Sequence, residues 1–207
     1  MVFKNLCITF INLSLFLLLL AGCDTTQQPA NTAGSYTTKY EQIPAPSSIQ
    51  KLTESTINSR YKNATDICFE DYKNIDNTGY LAFSYKNKQL PYCGFTMAQQ
   101  DGEQYELSYF EDYSIAEKEP VSITQFIGAY PGTKDRKIHI TIGYINNDRI
   151  KQIILYYPQS SAKIIQLVEG QHVFLDVNVD SEDSLSKIEG RASNGNIVYK
   201  KDFDHMH

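Results

Sequence analysis

The sequence predicts a mainly β (α+β) fold: an antiparallel β-sandwich, or a sheet with one covering helix at its N-terminal end. Three observations carry that expectation. From residue 65 onward apolar side chains recur with a period of two, as in Leu81, Phe83 and Tyr85, the repeat of a strand that buries one face. Turn signals such as Asp101-Gly102 and Asn194-Gly195 separate the apolar runs. Only one segment, beginning near Ser47, has helical spacing. The composition agrees, with 15 tyrosines and no tryptophan, since aromatic side chains favour strands.

The helix is predicted over residues 48–62. Ser47-Ser48-Ile49-Gln50 fits a capping box, with Ser47 as N-cap and Gln50 reaching back. Ile49, Leu52, Ile57 and Tyr61 fall on one broad face that also holds Thr53 and Thr56. Among the strands, Tyr92 to Met97 and Tyr105 to Phe110 flank Asp101-Gly102 as a hairpin. Ile138, Ile140, Ile142 and Tyr144 alternate with polar or small residues, and Asn146-Asn147-Asp148 turns the chain into Ile150 to Tyr157. Ala162 to Val168, Val173 to Val179, Lys187 to Ala192 and Ile197 to Tyr199 complete the set, with turns at Glu169-Gly170 and Asn194-Gly195. One β-rich domain over 48–203 follows, dividing, if at all, into 48–118 and 119–203.

The N-terminal region is of another kind. Lys4 is the one charged residue before a run from Leu6 to Leu20 that is apolar except for Thr9, Asn12 and Ser14. A short charged region followed by an apolar one is the pattern of a secretory signal, and the run falls short of the ~20 residues that span a bilayer comfortably. Residues 24–48 are polar and contain Pro29, Pro44 and Pro46. Such a stretch buries too little surface to fold, and about 25 residues of it reach roughly 25–30 Å.

Between the two lies Leu20-Ala21-Gly22-Cys23, which resembles the lipobox of bacterial lipoproteins. The resemblance implies a signal peptide over 1–22, cleavage before Cys23, a diacylglyceryl thioether on the Cys23 sulfur and an acyl group on its new amine. Residues 23–47 then form a lipidated cysteine with its linker, and the domain faces outside the cytoplasm on the cell membrane. The rival reading is an uncleaved anchor with the same topology. Asp24 resembles the residue that retains Gram-negative lipoproteins in the inner membrane, while Gram-positive cells have no outer membrane to sort to. In the second half, Gly143-Tyr144-Ile145, Ile150 to Tyr157, Gly170 to Phe174, Ile188 to Ala192 and Asn194-Gly195-Asn196-Ile197-Val198 resemble the C-terminal part of small, uncharacterised Gram-positive lipoproteins. That likeness implies a β-rich module and supplies no activity.

With Cys7 in the signal and Cys23 lipidated, Cys68 and Cys93 remain. In an oxidising compartment an even pair is expected to form a disulfide. Two free thiols are the alternative; a redox pair is disfavoured, because the spacing is unlike C-x-x-C.

Several patterns invite a site. Asp176-x-Asn178-x-Asp180 matches the first ligands of a calcium loop, but Ser181 replaces the glycine and Lys187 the glutamate. A strand with Leu175, Val177 and Val179 inward and the polar residues outward explains it better. Asp202, Asp204, His205 and His207 cluster at the chain end, while His139 and His172 stand alone in strands. Ser-x-x-Lys occurs at Ser48/Lys51, Ser160/Lys163 and Ser184/Lys187 without its partner motifs. Asn63-Ala64-Thr65 is a glycosylation sequon by pattern only. No cofactor fingerprint or metal motif stands out.

Without Lys4, 18 basic side chains face 24 acidic ones, a formal charge of −6. A mildly acidic chain without a basic cluster lacks the footprint for nucleic acid. The function expected is a non-enzymatic envelope module, anchored by lipid, that contacts another envelope protein or a wall polymer. A tyrosine-rich face would suit that role. The rival is an envelope hydrolase with an unrecognised carboxylate pair.

Overall fold

The computed structural model describes residues 43–133, 135–181 and 183–203. Within them one helix, α1 (Ser47–Arg60), precedes eleven strands. The strands are β1 (Ala64–Ile75), β2 (Thr78–Asn87), β3 (Leu90–Asp101), β4 (Gln104–Ser114), β5 (Val121–Ala129), β6 (Lys137–Ile145), β7 (Gln152–Tyr156), β8 (Lys163–Gln166), β9 (Val173–Val179), β10 (Lys187–Arg191) and β11 (Ile197–Asp202). They form three antiparallel sheets, in the orders β1-β2-β3-β4, β5-β6-β9 and β11-β10-β7-β8. The mainly β class with one covering helix is therefore what the described residues adopt.

The layers follow from the alternation of side chains. On the first sheet Leu81, Phe83 and Tyr85 point one way and meet α1, whose Ile49, Thr53 and Ile57 are buried. Tyr80 and Ala82 point the other way, with Cys93, Phe95 and Met97 beside them on β3. That face packs on Ile138, Ile140 and Ile142 of β6 and Val173, Leu175 and Val177 of β9. One core thus draws on both sides of the 118/119 division. The opposite face of the second sheet packs, through Val121, Ile145 and Phe174, on Ile153, Leu155, Ile165 and Ile188 of the third. β6 and most of β9 are therefore buried on both faces, whereas β5 keeps Gln125, Ile127 and Ala129 exposed.

Local details depart from expectation for identifiable reasons. The helix begins one residue early: the Gln50 N–H bonds the Pro46 carbonyl, so Pro46 is the N-cap. No side-chain cap forms, and the Gln50 amide donates to the Ala45 carbonyl instead of closing a box with Ser47. Thr53 donates to Thr96 on β3 at 2.9 Å, a buried hydroxyl pair that fixes the helix on its sheet. Gly143 is opposite Phe174, and a Cβ there would stand 2.3 Å from the Phe174 ring. The missing side chain is what lets that ring lie across β6 into the second core. Among the described residues no helix is long and apolar enough to cross a membrane. The expected signal peptide, Cys23 and most of the linker lie outside the described residues.

Candidate functional site

β1 is irregular, with register shifts between Thr65 and Cys68 and between Phe69 and Asp71. Phe69 and Asp71 register with the consecutive residues Phe83 and Ala82, which leaves Glu70 as the extra residue of a bulge. A bulge re-aims side chains, and here two consecutive carboxylates turn toward β9. Glu70 accepts the main-chain N–H of His172 and, at 2.6 Å, that of Val173, and it takes the Ser84 hydroxyl at 2.6 Å. Asp71 accepts the N–H of Leu175 at 2.9 Å and pairs with Lys73 at 3.4 Å. Burial pushes the Asp71 carboxyl up, against the pull of Lys73 and of main-chain N–H groups. β9 is an edge of its sheet, so side chains of the first sheet satisfy donors that an open edge would leave bare.

A cleft opens on both sides of Glu70. One pocket of about 390 Å³ has Phe69, Tyr72 and Leu81 in its base, with Ile43 and the Val168–Gln171 turn as walls. Ile43 and Val168, two of the exposed large apolar side chains among the described residues, are 58% and 51% exposed. A second pocket of about 340 Å³ shares Phe69, Glu70 and Gly170 and adds Cys68, Lys86, Tyr144 and His172. His172 stacks on Tyr144, with ring centroids 5.7 Å apart. Lys86 pairs with Asp66 at the rim, at 2.9 Å. Burial and the charges of Glu70 and Asp66 push the Cys68 thiol up, the opposite of what activates a cysteine nucleophile. Glu70 and Asp71 are thus committed to main-chain N–H groups of β9 and its approach, and around them the cleft offers a concave surface with apolar side chains.

The expected Cys68–Cys93 disulfide does not form: both thiols are free, Cys68 exposed and Cys93 buried. The register gives the reason. Cys68 and Cys93 both stand opposite Ser84, one from β1 and the other from β3. Two strand spacings, about 9–10 Å, exceed the ~4.4–6.8 Å between Cα atoms that a disulfide requires.

The calcium-like pattern resolves differently from either reading of it. Asp176 and Asn178 turn toward the third sheet, and Asp176 is 1% exposed, so the expected outward face of β9 is buried at Asp176 and partly buried at Asn178. The Lys163 ammonium takes the place a cation would have, 2.8 Å and 3.0 Å from the Asp176 oxygens and bonded also to Asn178. Tyr157 donates to the same carboxylate at 2.6 Å. Asp180 is elsewhere, with Arg136 at 2.9 Å. The Ser160/Lys163 pattern is split as well, since Ser160 donates to Asp183 at 2.7 Å.

No family model, no curated protein and no solved structure matches this chain.

The remaining expected positions are scattered. Asp202 pairs with Lys200 at 3.2 Å, while Asp204, His205 and His207 lie outside the described residues. His139 is buried in the middle sheet. Among the described residues no group of three or more His, Cys, Asp or Glu side chains is arranged to hold a metal ion. Every described tyrosine is buried or half-buried, and several hydroxyls are spent on carboxylates: Tyr61 and Tyr85 on Asp112, Tyr109 on Glu111, Tyr156 on Glu189. These tyrosines thus serve as struts of the sheets. Sequence reasoning missed Glu70 and Asp71. Their signal was two adjacent acids following Ile67 and Phe69 within a run of strand alternation.

Proposed function

We propose that this chain is a lipid-anchored envelope protein, held at the membrane through Cys23, and that its β-rich body is a binding module taking its ligand in the β1–β9 cleft. The anchor rests on the lipobox-like Leu20-Ala21-Gly22-Cys23 behind an apolar run; two or more acyl chains suffice for stable attachment. The binding reading rests on one observation: a cleft whose carboxylates already hold main-chain N–H groups, while its mouth keeps Ile43 and Val168 bare. Such a site recognises apolar or amphipathic segments of an envelope protein or a wall polymer. Hydrolysis by a carboxylate pair has less support, because Glu70 and Asp71 are committed to β9.

A photoreactive residue at Val168, in intact cells, tests the binding reading. A discrete adduct at position 168, missing when the probe is at Lys200 and lost with Phe69→Ala, is the expected result. Equal labelling at both positions would remove the cleft from consideration. The anchor is tested by Cys23→Ala, which should abolish incorporation of a labelled fatty acid and release the protein from the membrane fraction.

A further inference from the structure

The three sheets have six edges, and five are guarded. β1 and β11 carry register shifts and charged residues, β4 pairs with β3 through another shift and bears Glu106 and Glu111, β8 has four residues, and β9 is capped by Glu70 and Asp71. β5 has none of these devices. It runs nine residues in unbroken register with β6. No charged side chain occurs from Pro120 to Thr133. The bonds Asn146 N–H to Pro120 C=O and Tyr130 N–H to Arg136 C=O set the phase of the ladder. The even residues of β5 therefore bond β6, and Ile123, Gln125, Ile127 and Ala129 aim N–H and C=O outward. Among the described residues these outward groups have no main-chain partner. Ile127 is 57% exposed beside them. A long, uncharged, β-branched edge is a template for another strand.

We propose that β5 pairs antiparallel with β5 of a second copy of this chain, about a two-fold axis at Gln125, joining the middle sheets of two molecules into one. The register follows from the phase: outward residues must meet outward residues, and a centre at Gln125 pairs Ile123 with Ile127 and Val121 with Ala129 of the second copy. Ile127 is then covered by a β-branched partner, a favourable cross-strand pair, and Thr124 faces Phe126 on the other side. A chain of formal charge −5 repels its own copy, so it can approach itself along an uncharged strip and not along β1 or β4. An isologous contact of this kind closes as a dimer and leaves no new edge. The inference is independent of the lipid anchor and of the cleft.

The test uses the full chain in detergent. In a hydrogen-bonded antiparallel pair the Cα atoms lie about 5.5 Å apart, within reach of a disulfide. Gln125→Cys is expected to give a covalent dimer on mild oxidation in at least about tenfold higher yield than Leu107→Cys, an exposed position on β4, or than the unaltered chain. Ile127→Lys, added to Gln125→Cys, should remove that dimer, and alone it should shift the sedimenting species from two chains to one. Because Ile127 is exposed, its circular dichroism should be unchanged. A monomeric unaltered chain, equal crosslinking at 125 and 107, or a dimer that survives Ile127→Lys would each overturn the proposal.

Discussion

Glu70 on β1 accepts the main-chain N–H of Val173 on β9 at 2.6 Å, so a side chain of the first sheet closes an edge of the second. The same carboxylate holds His172 N–H and the Ser84 hydroxyl. This is a side chain substituting for a neighbouring strand, made available by the bulge in β1.

Glu70→Ala should therefore cost stability out of proportion to the carbon removed. It strips partners from two main-chain donors, and each unmade bond in a buried setting costs about 1–3 kcal/mol. Urea unfolding should show the loss, and hydrogen exchange at Val173 should accelerate more than at Ile140. Unchanged exchange at Val173 would show that the carboxylate does not guard this edge.

The two thiols should differ in reactivity. Cys68 is exposed, whereas burial pushes the Cys93 thiol up to about 12, despite a hydrogen bond from Tyr113 that works the other way. Without reductant, a maleimide should label Cys68 in the folded protein and Cys93 only after unfolding. Protection of both until reduction would restore the disulfide.

Lys163 is the counter-charge of a buried carboxylate. Lys163→Ala leaves Asp176 uncompensated, and breaking one side of a buried pair costs about 3–5 kcal/mol. Replacing both, as Lys163→Met with Asp176→Leu, should recover a large part of that loss in thermal unfolding. If the double variant is no better than the single one, the cost comes from packing and not from charge.

Glu189 gives the third sheet a pH dependence. Burial works to raise its pKa, but hydrogen bonds from Arg191, Lys187 and Tyr156 outweigh it and hold the carboxyl at about 2, against an ordinary 4.5. A depressed acid stabilises the fold above its unfolded pKa, and that contribution fades as pH falls from 4.5 toward 2. Denaturant midpoints of the unaltered chain should drop through this window more steeply than those of Glu189→Gln.

The β2–β3 turn holds a reserve of stability. Lys88 and Gln89 both have positive φ, 51° and 70°, where a side chain costs about 1–2 kcal/mol. Asn-Gly suits such a turn, so Lys88→Asn with Gln89→Gly should raise stability by about 1 kcal/mol in urea titrations. A lower midpoint would mean that these side chains hold the hairpin in some other way.

Much of the fold was legible in the residues. The Asp101-Gly102 hairpin lies where the turn dipeptide placed it, with Asp101 opposite Gln104, and β9 spans the predicted Val173–Val179. These are local matters, decided by φ preference and by alternation along one strand. β5 escapes the alternation rule, since Val121-Ser122-Ile123-Thr124-Gln125-Phe126-Ile127 breaks its own period at Gln125. Alternation also cannot say what lies on a face. Asp176 reads as outward because it is polar, yet it is buried by a third sheet that brings its own cation, Lys163. Nor can it set register between strands: Cys68 and Cys93 look like partners in the chain, and β2 stands between them. Local pattern settled which segments are strands. Only the stacking and register of three sheets decided which polar groups meet, because those meetings join residues on different sheets, 13 positions apart for Lys163 and Asp176 and 103 for Glu70 and Val173, whose spacing in the chain carries no trace of them.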